Sequence, residues 1–117
     1  MSESLRELSD RLLGFAQERD WEQFHSPKNL SMALAAETGE LLEHFQWLTE
    51  EQCENLDADK KEAVALEMAD IFIYLVRLSE RLDINLLDAA WQKITINEAR
   101  YPTEKVKGDA RRAEEYD

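Results

Sequence analysis

The chain has 117 residues, the size of one domain, and 44% of them are hydrophobic, enough for a core. Twenty-six acids stand against 14 bases, a formal net charge of −12, which argues against a nucleic-acid backbone or an anionic membrane as partner. A polyanionic small substrate stays compatible with that charge only if divalent cations neutralise the meeting of like charges.

Three Gly and two Pro disfavour a turn-rich β architecture, and Leu, Ala, Glu, Lys, Arg and Gln are good helix formers. No apolar run is long enough to span a bilayer. The first residues lack the basic-then-apolar pattern of a signal peptide. A single cysteine, Cys53, makes no internal disulfide, so a reducing cytoplasm is expected.

In chain order, Leu5, Leu8, Leu12, Leu13, Phe15 and Ala16 recur at helical spacing and predict a first helix over Ser4–Glu18. Arg19 to His25 breaks the period and reads as a loop. Ser26-Pro27 is an N-cap followed by proline at the first helical position, opening a helix that runs to about Trp47. Thr49 and Gln52 form a capping box for a short helix or turn, and Asp59 with Glu62 forms a second one. The second box starts a long helix ending near Leu82. Asn85 caps a last helix from Leu86 to about Arg100, and Pro102 stops it. Four main helices with short connections predict an all-α, four-helix-bundle-like domain over residues 1–102, with a polar, mobile tail over 103–117.

Two acid-x-x-acid pairs carry the chemical signal: Glu37 with Glu40, and Glu67 with Asp70. Residues three apart share a helix face, so each pair converges on one cation. In so acidic a chain the spacing alone is weak, because most such pairs line solvated faces. Position strengthens it. Glu37 falls on the line of Leu30, Leu34, Leu41 and Phe45, and Glu67 and Asp70 fall on the line of Ala63, Tyr74 and Leu78. Unpaired carboxylates are costly there, and no Lys or Arg lies between Asn29 and Asp59, or between Glu62 and Val76. A bound metal answers the cost better than a buried ion pair. An all-carboxylate set suits Mg2+, with Mn2+ as substitute. A di-iron bundle would call for Glu-x-x-His, which neither pair supplies. His44, four residues after Glu40, reads as a surface residue beside the site or as an outer ligand.

At these residues the sequence resembles the MazG-like all-α nucleoside triphosphate pyrophosphohydrolases, and within them the dCTP pyrophosphatase branch. The resemblance is carried by the two acid pairs together with Glu18 to His25, Pro27 to Leu30, Phe45-Gln46-Trp47, Asp70 to Leu75 and Asn97 to Pro102. It implies water attack on the α-phosphorus of a nucleoside triphosphate, releasing monophosphate and pyrophosphate. It makes Glu37, Glu40, Glu67 and Asp70 the metal ligands, with Glu37 or Glu40 also orienting or deprotonating the water. Trp21, Phe24, His25, Trp47 and Tyr74 match positions that hold base and sugar, and Lys93 and Asn97 match positions near the phosphates. Leu12 departs from the pattern, standing where some relatives carry a polar residue that touches substrate. The resemblance also implies an obligate oligomer, a tetramer of two dimers before a dimer. The competing readings are a silent helical oligomerisation or nucleotide-sensing module, with Trp21, Phe24, Trp47 and Tyr74 as interface aromatics, and a hydrolase of another phosphoanhydride.

Overall fold

The computed structural model describes residues 3–111 and 113–115. Among them every regular element is helical: α1 (Glu3–Glu18), α2 (Pro27–Glu43), α3 (Glu50–Glu54), α4 (Ala58–Arg81), α5 (Leu86–Arg100) and α6 (Thr103–Val106), with 3-10 turns at Glu22–Phe24 and Ala113–Glu115. The chain forms two compact units, one reaching Ile84 and the other starting at Asn85.

In the first unit α2 lies along α4, and α1 packs on α4 and on the turn that follows it. Ala16, Leu30, Val64 and Val76 are its buried apolar side chains among the described residues. Local chemistry sets the helix ends. Ser26 accepts from the Asn29 N–H at 3.1 Å ahead of Pro27. Thr49 and Gln52 close the expected capping box, with bonds of 3.1 and 2.9 Å. Both α1 and α4 end in a Schellman motif built on aspartate. Trp21 N–H reaches Ala16 O and Asp20 N–H reaches Gln17 O, with Asp20 at φ 55°. Ile84 to Ser79 and Asp83 to Glu80 repeat the pattern, with Asp83 at φ 54°. Aspartate tolerates this left-handed conformation, so the chain ends its helices with few glycines.

Three boundaries differ from the sequence expectation. Helix α4 is capped by Asp57, which accepts from Lys60 N–H at 2.8 Å, and not by Asp59. Asp59 already lies in the first turn, where its charge favours the helix N-terminus. Helix α2 ends at Glu43, not near Trp47, because the amides of His44 and Phe45 bond three residues back and tighten the chain into turns. The expected loop at 19–25 contains a 3-10 turn, fastened by Gln23 Nε2 to Asp20 O at 2.9 Å and by Asn29 Nδ2 to Phe24 O at 3.0 Å.

In the second unit α5 is capped by Asn85, accepting from Asp88 N–H at 3.1 Å. No residue of α5 is buried, and Trp91 is 64% exposed. The segment after Pro102, expected as a plain polar tail, carries α6 and a 3-10 turn, with Arg111 bonded to Asp109 at 2.8 Å.

Candidate active site: a carboxylate cluster beside an aromatic cavity

The packing of α2 on α4 brings Glu37 opposite Glu67 and Asp70. One carboxylate oxygen from each of the three lies within 4.8 Å of the others. Glu37 and Glu67 are half-buried and Asp70 is exposed, so the cluster sits at the edge of the helix pair. Glu37 Oε2 and Glu67 Oε2 are buried and have no hydrogen-bond partner. Burial raises the Glu37 carboxyl to about 7, reinforced by hydrogen bonding to Glu40, by the charges of Glu40 and Asp70, and by hydrogen bonding to Glu67. Glu40 thus acts directly on Glu37 while being exposed and outside the converging trio. His44 Nε2 lies 3.9 Å from Glu67 Oε1, beside the cluster.

Orphaned buried oxygens and an all-oxygen donor set fit a hard divalent cation. The fit follows from the sequence locally. Spacing of three places the acids of each pair on one side of their helix. Glu37, Glu67 and Asp70 converge from there while Glu40 stays exposed, and their apolar neighbours supply no competing cation.

Asp70 also lines a cavity of about 240 Å³. Its walls are aromatic and aliphatic, with Phe15, Trp21, Tyr74, Ile73 and Leu12, and it is completed by His25 and Arg77. Phe15 and Trp21 meet edge-to-face, with ring centres 5.7 Å apart at 72°. Trp21 and His25 do the same at 6.5 Å and 66°. The α1 Schellman turn is what swings Trp21 back over Phe15. His25 is held from α4, its carbonyl accepting from Arg81 Nε at 3.1 Å and its Nδ1 lying 3.4 Å from Arg77 Nη2. Burial, then the Arg77 and Arg81 charges, lower the His25 pKa below the usual imidazole value.

The structure therefore gathers Glu37, Glu67 and Asp70 at one place, and Trp21, His25 and Tyr74 around the adjoining cavity. Phe24 is 59% exposed and Trp47 is 86% exposed, and neither lines that cavity. Lys93 and Asn97 lie exposed on α5 in the second unit. Sequence reasoning missed Phe15 and Arg77. The signal for Arg77 was present: it follows Asp70 and Tyr74 at helical spacing, just past the cation-free stretch that ends at Val76.

Residues 32–115 match the MazG-like family. The chain is 44% identical to human dCTP pyrophosphatase 1 over 100 residues, which is 84% of this chain and 59% of that protein. The mouse protein of the same name is 45% identical over 98 residues, 82% of this chain and 58% of that one. The chain thus spans rather more than half the length of the curated relatives it matches. Among solved structures, a pyrophosphatase from Archaeoglobus fulgidus superposes with a TM-score of 0.81 at 36% identity, covering 87% of this chain and 95% of that one. The carboxylate cluster, the helical framework that presents it and these matches agree, and the chain belongs to the MazG-like family.

Proposed function

We propose that the protein is a Mg2+-dependent nucleoside triphosphate pyrophosphohydrolase that converts dCTP, and more weakly related deoxynucleotides, to the monophosphate and pyrophosphate. The observation that carries this reading is the trio of converging carboxylates, two with unpartnered buried oxygens, opening on an aromatic cavity. Relatives named as dCTP pyrophosphatases support the choice of substrate.

Glu37, Glu67 and Asp70 would hold the cation, with Glu40 adding charge through Glu37. When bound, the cation neutralises the triphosphate and polarises its phosphoryl oxygens; Mn2+ has the same hard, oxygen-seeking character. Glu37 or Glu40 would orient the attacking water or take its proton. The water oxygen bonds to the α-phosphorus, the bond from that phosphorus to the bridging α–β oxygen breaks, and pyrophosphate leaves. Trp21, Tyr74 and Phe15 supply stacking surface, worth roughly 1–3 kcal/mol for a base on each aromatic used. Their polar neighbour His25 contacts the same cavity. Trp47 and Phe24, both far more exposed, are contacts for base or sugar only where a second subunit or the bound substrate covers them. Lys93 and Asn97 are assigned to the phosphates on the sequence resemblance.

Large apolar side chains stand exposed on α2, α4 and α5, among them Met32, Leu42, Leu66, Met68 and Trp91. Surface of this kind supports a homo-oligomer, a tetramer built from two dimers before a plain dimer. No helix among the described residues is long and apolar enough to cross a membrane. The acidic charge supports a small nucleotide as partner in place of nucleic acid or an anionic membrane, and the single cysteine supports a reducing cytoplasm.

Product analysis in isotopically labelled water tests the mechanism. Label is expected in the nucleoside monophosphate, with pyrophosphate as the other product. Orthophosphate with nucleoside diphosphate, or label in pyrophosphate, would overturn it. Absence of turnover for every triphosphate would favour the silent helical module.

A further inference from the structure

Arg77 has no role in the metal chemistry, yet it is the best-buried charge in the first unit, only 3% exposed. It lines the aromatic cavity. Its Nη1 pairs with Glu80 Oε2 at 2.8 Å and its Nη2 lies 3.4 Å from His25 Nδ1. Its Nε is buried with no partner. A guanidinium carries five N–H donors in a planar fork, and the Glu80 and His25 contacts use two of them, leaving Nε–H and one hydrogen on each Nη. A purely structural arginine would be saturated by its neighbours, since an orphaned buried donor costs free energy. This one is bonded enough to be fixed in place, lines the cavity and still holds a buried donor without a partner.

Its position along α4 supplies the second argument. Asp70, Tyr74 and Arg77 follow one another by four and three residues, so they share a face of the helix. The seven residues from Asp70 to Arg77 rise about 10.5 Å. That is the scale of a nucleoside from its phosphate to the far edge of its base, with Tyr74 between. A nucleotide whose α-phosphate sits at the carboxylates therefore presents its base edge to the Arg77 end of the cavity.

We propose that Arg77 is a specificity-determining residue that reads the base, donating to two adjacent acceptors, the O2 and N3 of cytosine. Thymine and uracil carry N3–H in place of the N3 lone pair and set a donor against a donor. His25 completes the arrangement. Kept neutral by burial and by Arg77 and Arg81, it accepts from Nη2 and holds the guanidinium in orientation. The assignment rests on the proposed pyrophosphohydrolase reading and adds to it the group that selects the base.

The test compares kcat/KM of the wild-type protein for dCTP, dTTP, dGTP and 3-deaza-dCTP, in which N3 is replaced by C–H. The wild type is expected to favour dCTP over dTTP and over 3-deaza-dCTP by roughly tenfold or more. In Arg77→Met the preference for dCTP over dTTP is expected to collapse to within about threefold, through a raised KM for dCTP. A bracing role alone would lower both substrates together and leave their ratio intact. Equal wild-type use of dCTP and 3-deaza-dCTP overturns the assignment, as does a preference for dGTP or an unchanged ratio in Arg77→Met. These results leave the pyrophosphohydrolase reading standing, whereas no turnover of any triphosphate overturns both. Should Arg77→Met not fold, the comparison of dCTP with 3-deaza-dCTP on the wild type decides alone.

Discussion

Helix α4 carries two clusters of charge about two turns apart, and they are built on opposite principles. At Glu67 and Asp70, joined by Glu37 from α2, charges of one sign meet with no Lys or Arg among them, and two buried oxygens are left without partners. At Arg77, one cation is held between Glu80 and His25, with Arg81 fastening the His25 carbonyl from the same helix. The first cluster is unfavourable until something arrives. The second is nearly complete without a ligand. The difference lies in what is left uncompensated: carboxylate charge in the first cluster, and guanidinium N–H donors in the second.

The comparison breaks most easily at the carboxylates. Asp70→Asn keeps the shape and removes a charge and a ligand atom, so turnover is expected to fall by a hundredfold or more, of the order seen when a charge-stabilising group is lost from a reacting centre. Glu40→Gln is expected to abolish activity as well, although Glu40 lies outside the trio, because its charge acts on Glu37. Steady-state kinetics with Mg2+ checks both. Wild-type turnover in Asp70→Asn would remove the cluster from the active site.

Next in size is the response to metal. An ion that binds only the folded protein stabilises it by about 2.7 kcal/mol when present at 100 times its dissociation constant. Thermal unfolding of the wild type is expected to shift upward with Mg2+ by that equivalent, while Asp70→Asn shifts little. Without metal the order reverses, since removing one of several crowded charges relieves repulsion. Glu50→Gln on the exposed face of α3 serves as control and is expected to change neither.

How much of this was legible beforehand follows from which forces act locally. The helices, the Ser26, Thr49 and Asn85 caps and the spacing of the acid pairs are governed by neighbours within four residues, and the sequence displays them. The meeting of Glu37 with Glu67 and Asp70, with Glu40 outside it, depends on how α2 packs on α4. The end of α2 was not legible, because the apolar residues Phe45 and Trp47 continue the helical spacing while the backbone turns. Asp57 and Asp59 are both residues that cap helices, and the structure uses the earlier one. The position of Arg77 was legible, but its burial was not. Its burial depends on the turn at 22–24 folding His25 back onto α4, a contact 52 residues apart in sequence.

The two clusters also differ in how they respond to protons. Glu37 has a folded-state pKa raised to about 7, mainly by burial. A carboxyl whose pKa is raised on folding contributes stability that is full below its unfolded value and is lost as pH rises through the folded one. The metal-free protein is therefore expected to become less stable between about pH 4.5 and 7 from this group. Glu37→Gln should flatten that part of the profile, and a denaturation series in chelator checks it. An unchanged slope would mean that Glu37 is not the group that resists ionisation.

The smallest expected effect lies at Arg81, and it tests whether the two clusters are independent. Arg81 Nε donates to the His25 carbonyl at 3.1 Å across an exposed edge. A hydrogen bond of this kind contributes on the order of 1 kcal/mol, less where water competes. Arg81→Gln should lower the unfolding midpoint by only a few degrees. His25 and Trp21 share a ring contact, so loosening His25 disturbs the aromatic wall and should raise KM for dCTP modestly, with kcat nearly unchanged. The upward shift with Mg2+ should stay at its wild-type size, because Arg81 lies eleven residues beyond Asp70, about 16 Å along the helix. If Arg81→Gln instead abolished that shift, the 22–24 turn would be coupled to the carboxylates. The two clusters on α4 would then not be independent, and the proposed separation of metal binding from base recognition would fail.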